Sequence, residues 1–144
     1  MRVNEEELGD PDAIEAFLVD AYGASMRIDA DAERWVLRHR RADAGPFTVD
    51  TMSQSSGLSF EVGPLQKIVI TRTGTSRLER ACGPAERRYD AGELFLMSDP
   101  DLPYRGRWLA GEVHHCVLDP LVIGQVAASA RAGTPAPIRF TGLD

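Results

Sequence analysis

Lys67-Ile68-Val69-Ile70-Thr71-Arg72-Thr73-Gly74 opens the stretch that decides the fold. β-Branched residues fill it almost throughout, and such side chains suit a pleated strand, so the run predicts a strand that stops at Gly74. Residues 76–82 follow as a more polar run, Gly83-Pro84 breaks it, and residues 86–90 resume extended character before Ala91-Gly92. Leu94-Phe95-Leu96-Met97 is apolar throughout, too short for a helix, and closed by Ser98-Asp99-Pro100. It predicts a strand buried on both faces, the central strand of the core. Strand-like runs separated by turn residues in this way read as a meander that continues to Trp108.

Further along the chain, residues 104–109 are strand-like, Ala110-Gly111 predicts a hairpin turn, and residues 113–118 predict the last strand. Asp119-Pro120 then sets an N-cap before a proline, and Leu121, Val122, Val126 and Ala127 predict an amphipathic helix over 119–133. Residues 134–144 read as a connector stiffened by Pro135-Ala136-Pro137, with Ile138-Arg139-Phe140 as a short edge segment.

Towards the N-terminus, Leu58, Phe60 and Val62 alternate with Ser59 and Glu61, which predicts a strand, and residues 47–53 predict another after the Gly45-Pro46 turn. From Arg34 the period is again two, with Trp35, Leu37 and His39 on one face and Val36, Arg38 and Arg40 on the other. Asp10-Pro11-Asp12 predicts a helix start, and Ile14, Phe17, Leu18 and Ala21 give the helix a buried stripe that should end at Gly23. Residues 1–9 carry Glu5-Glu6-Glu7 with little to bury and read as an acidic tail without a role. Short strands with Gly/Pro turns, framed by one helix at 10–23 and one at 119–133, predict a single mainly β domain over 1–144, either a sandwich or a small barrel over 34–118.

With 43% hydrophobic residues in 144, the chain can bury a core of its own. A net charge of −6 argues against direct grip on a phosphate backbone. No apolar run is long enough to span a bilayer, and the acidic N-terminus is unlike a signal peptide, so a cytoplasmic location is expected. Cys82 and Cys116 make no disulfide framework and are expected as free thiols.

His39, His114, His115 and Cys116 are potential metal ligands, but on a strand His114 and His115 point to opposite faces. Only His114 with Cys116, or His115 with His39, can share a side, and neither pair completes a site. The Ser53-Gln54-Ser55-Ser56-Gly57 stretch lacks a nucleophile elbow and reads as a loop tip. Arginines and aromatics recur within the strands, and an aromatic wall with one or two cationic donors suits a small anionic or ring-bearing ligand. Trp35, Arg38, Arg72, Tyr104, Trp108 and His115 are the candidate ligand-binding residues. Residue by residue, the plainer reading has the arginines in solvent and the aromatics and His115 in the core.

The order of segments resembles the N-terminal sensor domain of AraC-type transcriptional regulators from about residue 10 to the end. The resemblance rests on the Asp10-Pro11-Asp12-Ala13-Ile14-Glu15-Ala16-Phe17-Leu18 helix with Tyr22-Gly23, and on Leu65-Gln66-Lys67-Ile68-Val69-Ile70 before Gly74. It continues through Tyr89-Asp90-Ala91-Gly92-Glu93-Leu94-Phe95-Leu96-Met97 with Asp99-Pro100, then Leu118-Asp119-Pro120 and Pro137-Ile138-Arg139-Phe140. The resemblance implies a cupin-like β-barrel, a double-stranded β-helix or jelly roll, that binds a small-molecule effector. In such regulators a helix-turn-helix domain binds DNA, and this chain stops before one, so no nucleic acid is expected on this piece; a homodimer is left open. The His-x-His signature of metal-bearing cupin enzymes is missing, so the chain resembles a metal-free, non-enzymatic cupin with no cofactor. The alternatives are a cupin enzyme, either a metal-dependent oxygenase or a metal-free isomerase, and a protein-interaction module using a sheet edge or the 119–133 helix.

Overall fold

The computed structural model describes residues 1–131. The chain begins with β1 (Arg2–Leu8), α1 (Pro11–Tyr22), β2 (Met26–Ala30) and β3 (Leu37–Asp43). β4 (Phe47–Gln54), β5 (Leu58–Val62), β6 (Ile68–Thr73) and β7 (Leu78–Cys82) follow. Then come β8 (Ala85–Tyr89), β9 (Leu94–Leu96), β10 (Tyr104–Trp108), β11 (Gly111–Leu118) and α2 (Pro120–Arg131).

Helix α1 forms for the reasons its sequence states. The Asp10 carboxylate accepts from the Ala13 amide at 3.2 Å, Pro11 sits in the first turn, and Gly23 ends the helix in the left-handed region at φ 68°. Ile14, Leu18 and Tyr22, four residues apart, form its buried stripe, with Phe17 and Ala21 packed beside them. Removing a side chain such as Ile14 or Leu18 from water stabilises the fold by about 2 kcal/mol each.

From β4 onward the strands pair as one long hairpin: β4 with β11, β5 with β10, β6 with β9 and β7 with β8, all antiparallel. Gly83, at φ 54°, turns the tip. The hairpin is rolled so that β11 also meets β6 and β10 also meets β7. This jelly-roll winding yields a six-stranded sheet in the order β1-β3-β4-β11-β6-β9 and a five-stranded sheet in the order β2-β5-β10-β7-β8. Their inner faces enclose the core, and α1 packs beside β2.

Several sequence expectations need correction. The strands are not a meander, because β10 and β11 belong to different sheets and the Ala110-Gly111 turn carries the chain between sheets rather than closing a hairpin. The two sheets do not close by hydrogen bonding into a barrel among the described residues. β9 is no central strand: it lies at a sheet edge, and Leu94 is 70% exposed. Its Phe95 is buried by stacking on Tyr89 at 3.6 Å, so an apolar run that reads as two-sided burial is apolar for one face only.

The acidic residues 1–9 hold an edge strand rather than a tail. Glu5 and Glu7 lie directly opposite Arg40 and Arg38 of β3 and pair with them at 3.1 and 2.9 Å. β2 was not expected at all, and β3 begins at Leu37 rather than Arg34. In α2, the Asp119 carboxylate accepts from the Leu121 amide at 2.8 Å, but Leu121 and Val126 of the expected apolar stripe are exposed. The Ile138-Arg139-Phe140 edge segment lies outside the described residues.

Candidate functional site

Strand alternation directs one row of side chains from each sheet inward. Across the six-stranded sheet the inner row runs Arg41, Asp50, His115, Thr71 and Phe95, each directly opposite the next. Arg41 donates from Nε and Nη2 to the two Asp50 oxygens, 2.8 Å each, and from Nη1 to the Ala21 carbonyl at 3.0 Å. Tyr22 donates its hydroxyl to Asp50 Oδ2 at 2.8 Å, which leaves its oxygen to accept from His39 Nε2 at 3.0 Å. Burial by itself would raise the Asp50 carboxyl, but the hydrogen bonds from Arg41 and Tyr22, with His39 close beside them, outweigh it and hold the group well below the usual carboxylate range. This network clamps the C-terminal end of α1 to the sheet.

Beyond the clamp, between the sheets, lies an interior cavity of about 70 Å³. The five-stranded sheet lines it with Ile28, Leu58, Phe60, Val62, Tyr104 and Trp108, and the six-stranded sheet with Met52, Gln54, Val69 and His115. Leu18 and Tyr22 of α1, Met26, and the loop residues Leu65 and Met97 complete the wall. The lining is apolar with a few polar groups, the usual composition of a small-molecule site.

Those polar groups are uncharged. His115 is bonded through Nδ1 to Thr71 Oγ1 at 2.8 Å, and its ring meets Trp108 and Tyr22 edge-on. Burial pushes its pKa down to about 4, so the imidazole is neutral near pH 7 and its Nε2 has no hydrogen-bond partner among the described residues. Burial also pushes the Tyr104 phenol up, keeping it protonated. Gln54 donates from Nε2 to the Leu109 carbonyl at 3.2 Å while its buried Oε1 accepts from nothing. A buried amide oxygen left without a donor is costly and suits the O–H or N–H of a bound molecule.

Of the six candidate residues, Tyr104, Trp108 and His115 come together on the cavity. Trp35 is buried in the same core without lining it, and its indole N–H has no partner. Arg38 and Arg72 do not join them. Arg38 is exposed on the outer face against Glu7, and Arg72 is exposed one residue from buried Thr71 and Thr73. Tyr22, Met52, Gln54 and Phe60 were not singled out from the sequence, although strand alternation puts Met52 and Gln54 on one face and Phe60 with Leu58 and Val62.

The potential metal ligands separate. His39 sits in the clamp, His115 at the cavity, and His114 points outward beside Thr51 and Glu112. Among the described residues no three His, Cys, Asp or Glu side chains gather as a metal site. A wider, shallow depression of about 770 Å³ lies on the outer face of the five-stranded sheet. There the rows Asp29, Ser59, Arg107, Glu79, Arg88 and Arg27, Glu61, Arg105, Ala81, Glu86 alternate in charge, which makes it a self-paired solvated face. Both cysteines are free thiols, and no helix among the described residues is long and apolar enough to cross a membrane.

Two rolled sheets around an apolar cavity define a β-container fold. That fold is shared with the AraC-like transcriptional activator CuxR, which matches with a TM-score of 0.66 at 12% identity, over 89% of this chain and 52% of CuxR. The chain thus spans about half the length of that protein (52%). A cupin 2 conserved barrel domain protein from Salinispora arenicola CNS-205 matches more loosely, with a TM-score of 0.41 at 16% identity over 72% of this chain and 90% of that one. No family model matches the sequence, and no curated protein does.

Proposed function

We propose that the chain is the effector-sensing domain of an AraC-type transcriptional regulator, with a cupin-like, metal-free container that binds a small, largely apolar molecule without turning it over. The observation that carries the reading is the cavity itself, with the unpaired Gln54 Oε1 and the neutral His115 imidazole on an otherwise apolar wall. Likeness to CuxR supports the regulatory class. The cavity touches α1 through Leu18 and Tyr22, and Tyr22 belongs to the clamp, so an occupant bears directly on the helix position. Binding shifts the balance between arrangements of α1, and a part of the regulator outside this chain carries that bias to DNA.

The test is a thermal-shift screen of small neutral and anionic compounds, run on the wild type and on Val69→Phe, which fills the cavity. A ligand at about ten times its Kd raises the wild-type Tm by about 5 °C. The response is lost in Val69→Phe. A screen without any shift, or shifts that survive in Val69→Phe, overturns the reading and leaves a protein-interaction module.

A further inference from the structure

Arg80 of β7 faces inward between Leu78 and Cys82 and is only 1% exposed. The residue opposite it on β10 is Gly106, and a Cβ there would come within 3.0 Å of Phe60 Cζ, so the Phe60 ring occupies the space a side chain would take. Arg80 donates from Nη1 to the Leu96 carbonyl at 2.5 Å and the Met97 carbonyl at 3.1 Å, and its guanidinium lies 5.1 Å from the centre of the Tyr89 ring. Its Nε and Nη2 are buried with no partner, and no carboxylate among the described residues forms an ion pair with it. A guanidinium stripped of water and left without a counter-charge is among the costlier things a core can hold.

The same chain shows what completes such an arrangement. Arg41 also spends Nη1 on a backbone carbonyl, and its Nε and Nη2 grip both oxygens of Asp50 side-on. Nε and Nη2 form the edge of a guanidinium whose parallel N–H bonds match the two oxygens of a carboxylate. Arg80 repeats the Arg41 arrangement with the carboxylate missing. It lies behind the cavity wall rather than on it: Met97, which accepts from it, lines the cavity, and so does Tyr104, which lies within reach of its charge.

We propose that Arg80 anchors a carboxylate, and that the effector is a small carboxylic acid gripped by Nε and Nη2 with its apolar body in the cavity. This rests on the sensor reading of that cavity and adds the chemical class of its ligand. The anion supplies the missing counter-charge, so its binding is selective against neutral molecules of the same shape.

The test compares propionate and butyrate with propionamide and butyramide by thermal shift, in buffer free of other carboxylates, on the wild type, Arg80→Met and Arg80→Lys. The carboxylates raise the wild-type Tm by about 5 °C at ten times Kd, and the amides bind at least about tenfold more weakly. Both variants lose the carboxylate response, Arg80→Lys because an ammonium keeps the charge without the fork. Without any probe, Arg80→Met melts no lower than the wild type. Equal response to acids and amides, or a carboxylate response kept in either variant, overturns the anchor while the cavity reading stands. Arg80→Met melting well below the wild type, with amides alone binding, makes Arg80 a structural cation satisfied by its carbonyls. No shift with any probe overturns both readings together.

Discussion

Arg41 and Asp50 face each other across β3 and β4 and are joined by two parallel hydrogen bonds of 2.8 Å, with Asp50 fully buried. Asp50 also receives the Tyr22 hydroxyl, so one carboxylate ties two strands and the end of α1 together. Asp50→Ala takes the counter-charge from a largely buried guanidinium and one hydrogen bond from the Tyr22 phenol, and is expected to cost about 3 kcal/mol, lowering Tm by about 10 °C. The double variant Asp50→Leu with Arg41→Met removes both charges and should lose less than Asp50→Ala alone, read by urea unfolding.

Stability should fall on mild acidification because of His115. Its folded pKa lies near 4 against an ordinary 6.5, so between those values the unfolded chain takes up a proton that the folded one refuses. The contribution is complete above pH 6.5 and is lost as pH falls towards 4, by about 3 kcal/mol. Asp50, whose folded pKa is also depressed, adds a further loss below the ordinary carboxylate range. Urea midpoints between pH 7.5 and pH 4 should slope accordingly, and His115→Gln should flatten the part above pH 4.

Gly106 admits no side chain. A Cβ there would stand 2.0 Å from the Glu79 carbonyl oxygen, which is backbone and cannot rotate away. Gly106→Ala should therefore push β10 off β7, cost about 3 kcal/mol or more, and reduce the soluble yield. A wild-type melting curve for that variant would show that the strands can separate at little cost.

The edge strand β1 tolerates charge of one sign only. Glu5 and Glu7 are well exposed, so replacing both with Ala should cost only a few tenths of a kcal/mol, less at high salt. Replacing both with Lys sets like charges directly opposite Arg40 and Arg38 and should release the strand. Hydrogen exchange of the amides of residues 2–8 reads the difference, and protection unchanged in the Lys variant would show that backbone pairing alone holds the edge.

Local order was legible wherever the cause was local. The α1 cap, stripe and αL end follow from Asp10, Ile14, Leu18 and Gly23, and the inward sets of β5, β6, β10 and β11 follow from two-residue alternation. Tyr104, Trp108 and His115 were singled out by residue type, as ring-bearing side chains within strands, and lie at the cavity. Arg38 and Arg72 were misplaced because a residue's type entered the reading alongside its parity. Arg80 escaped notice because a charged residue in a polar run reads as surface, although it shares a face with Leu78 and Cys82.

By itself the sequence determined the strand and helix segments with an apolar stripe, their turns, and the mainly β character, since each depends on neighbours a few residues apart. Only the tertiary structure decided which strands pair, because alternation says which side chains face inward and nothing about whose backbone lies alongside. It alone made β1 from residues with no apolar face, by backbone pairing with β3 some thirty residues away. It also set Arg80 and Arg41 in matching frames, one with its carboxylate and one without, a relation that exists only once the two sheets have closed over the cavity.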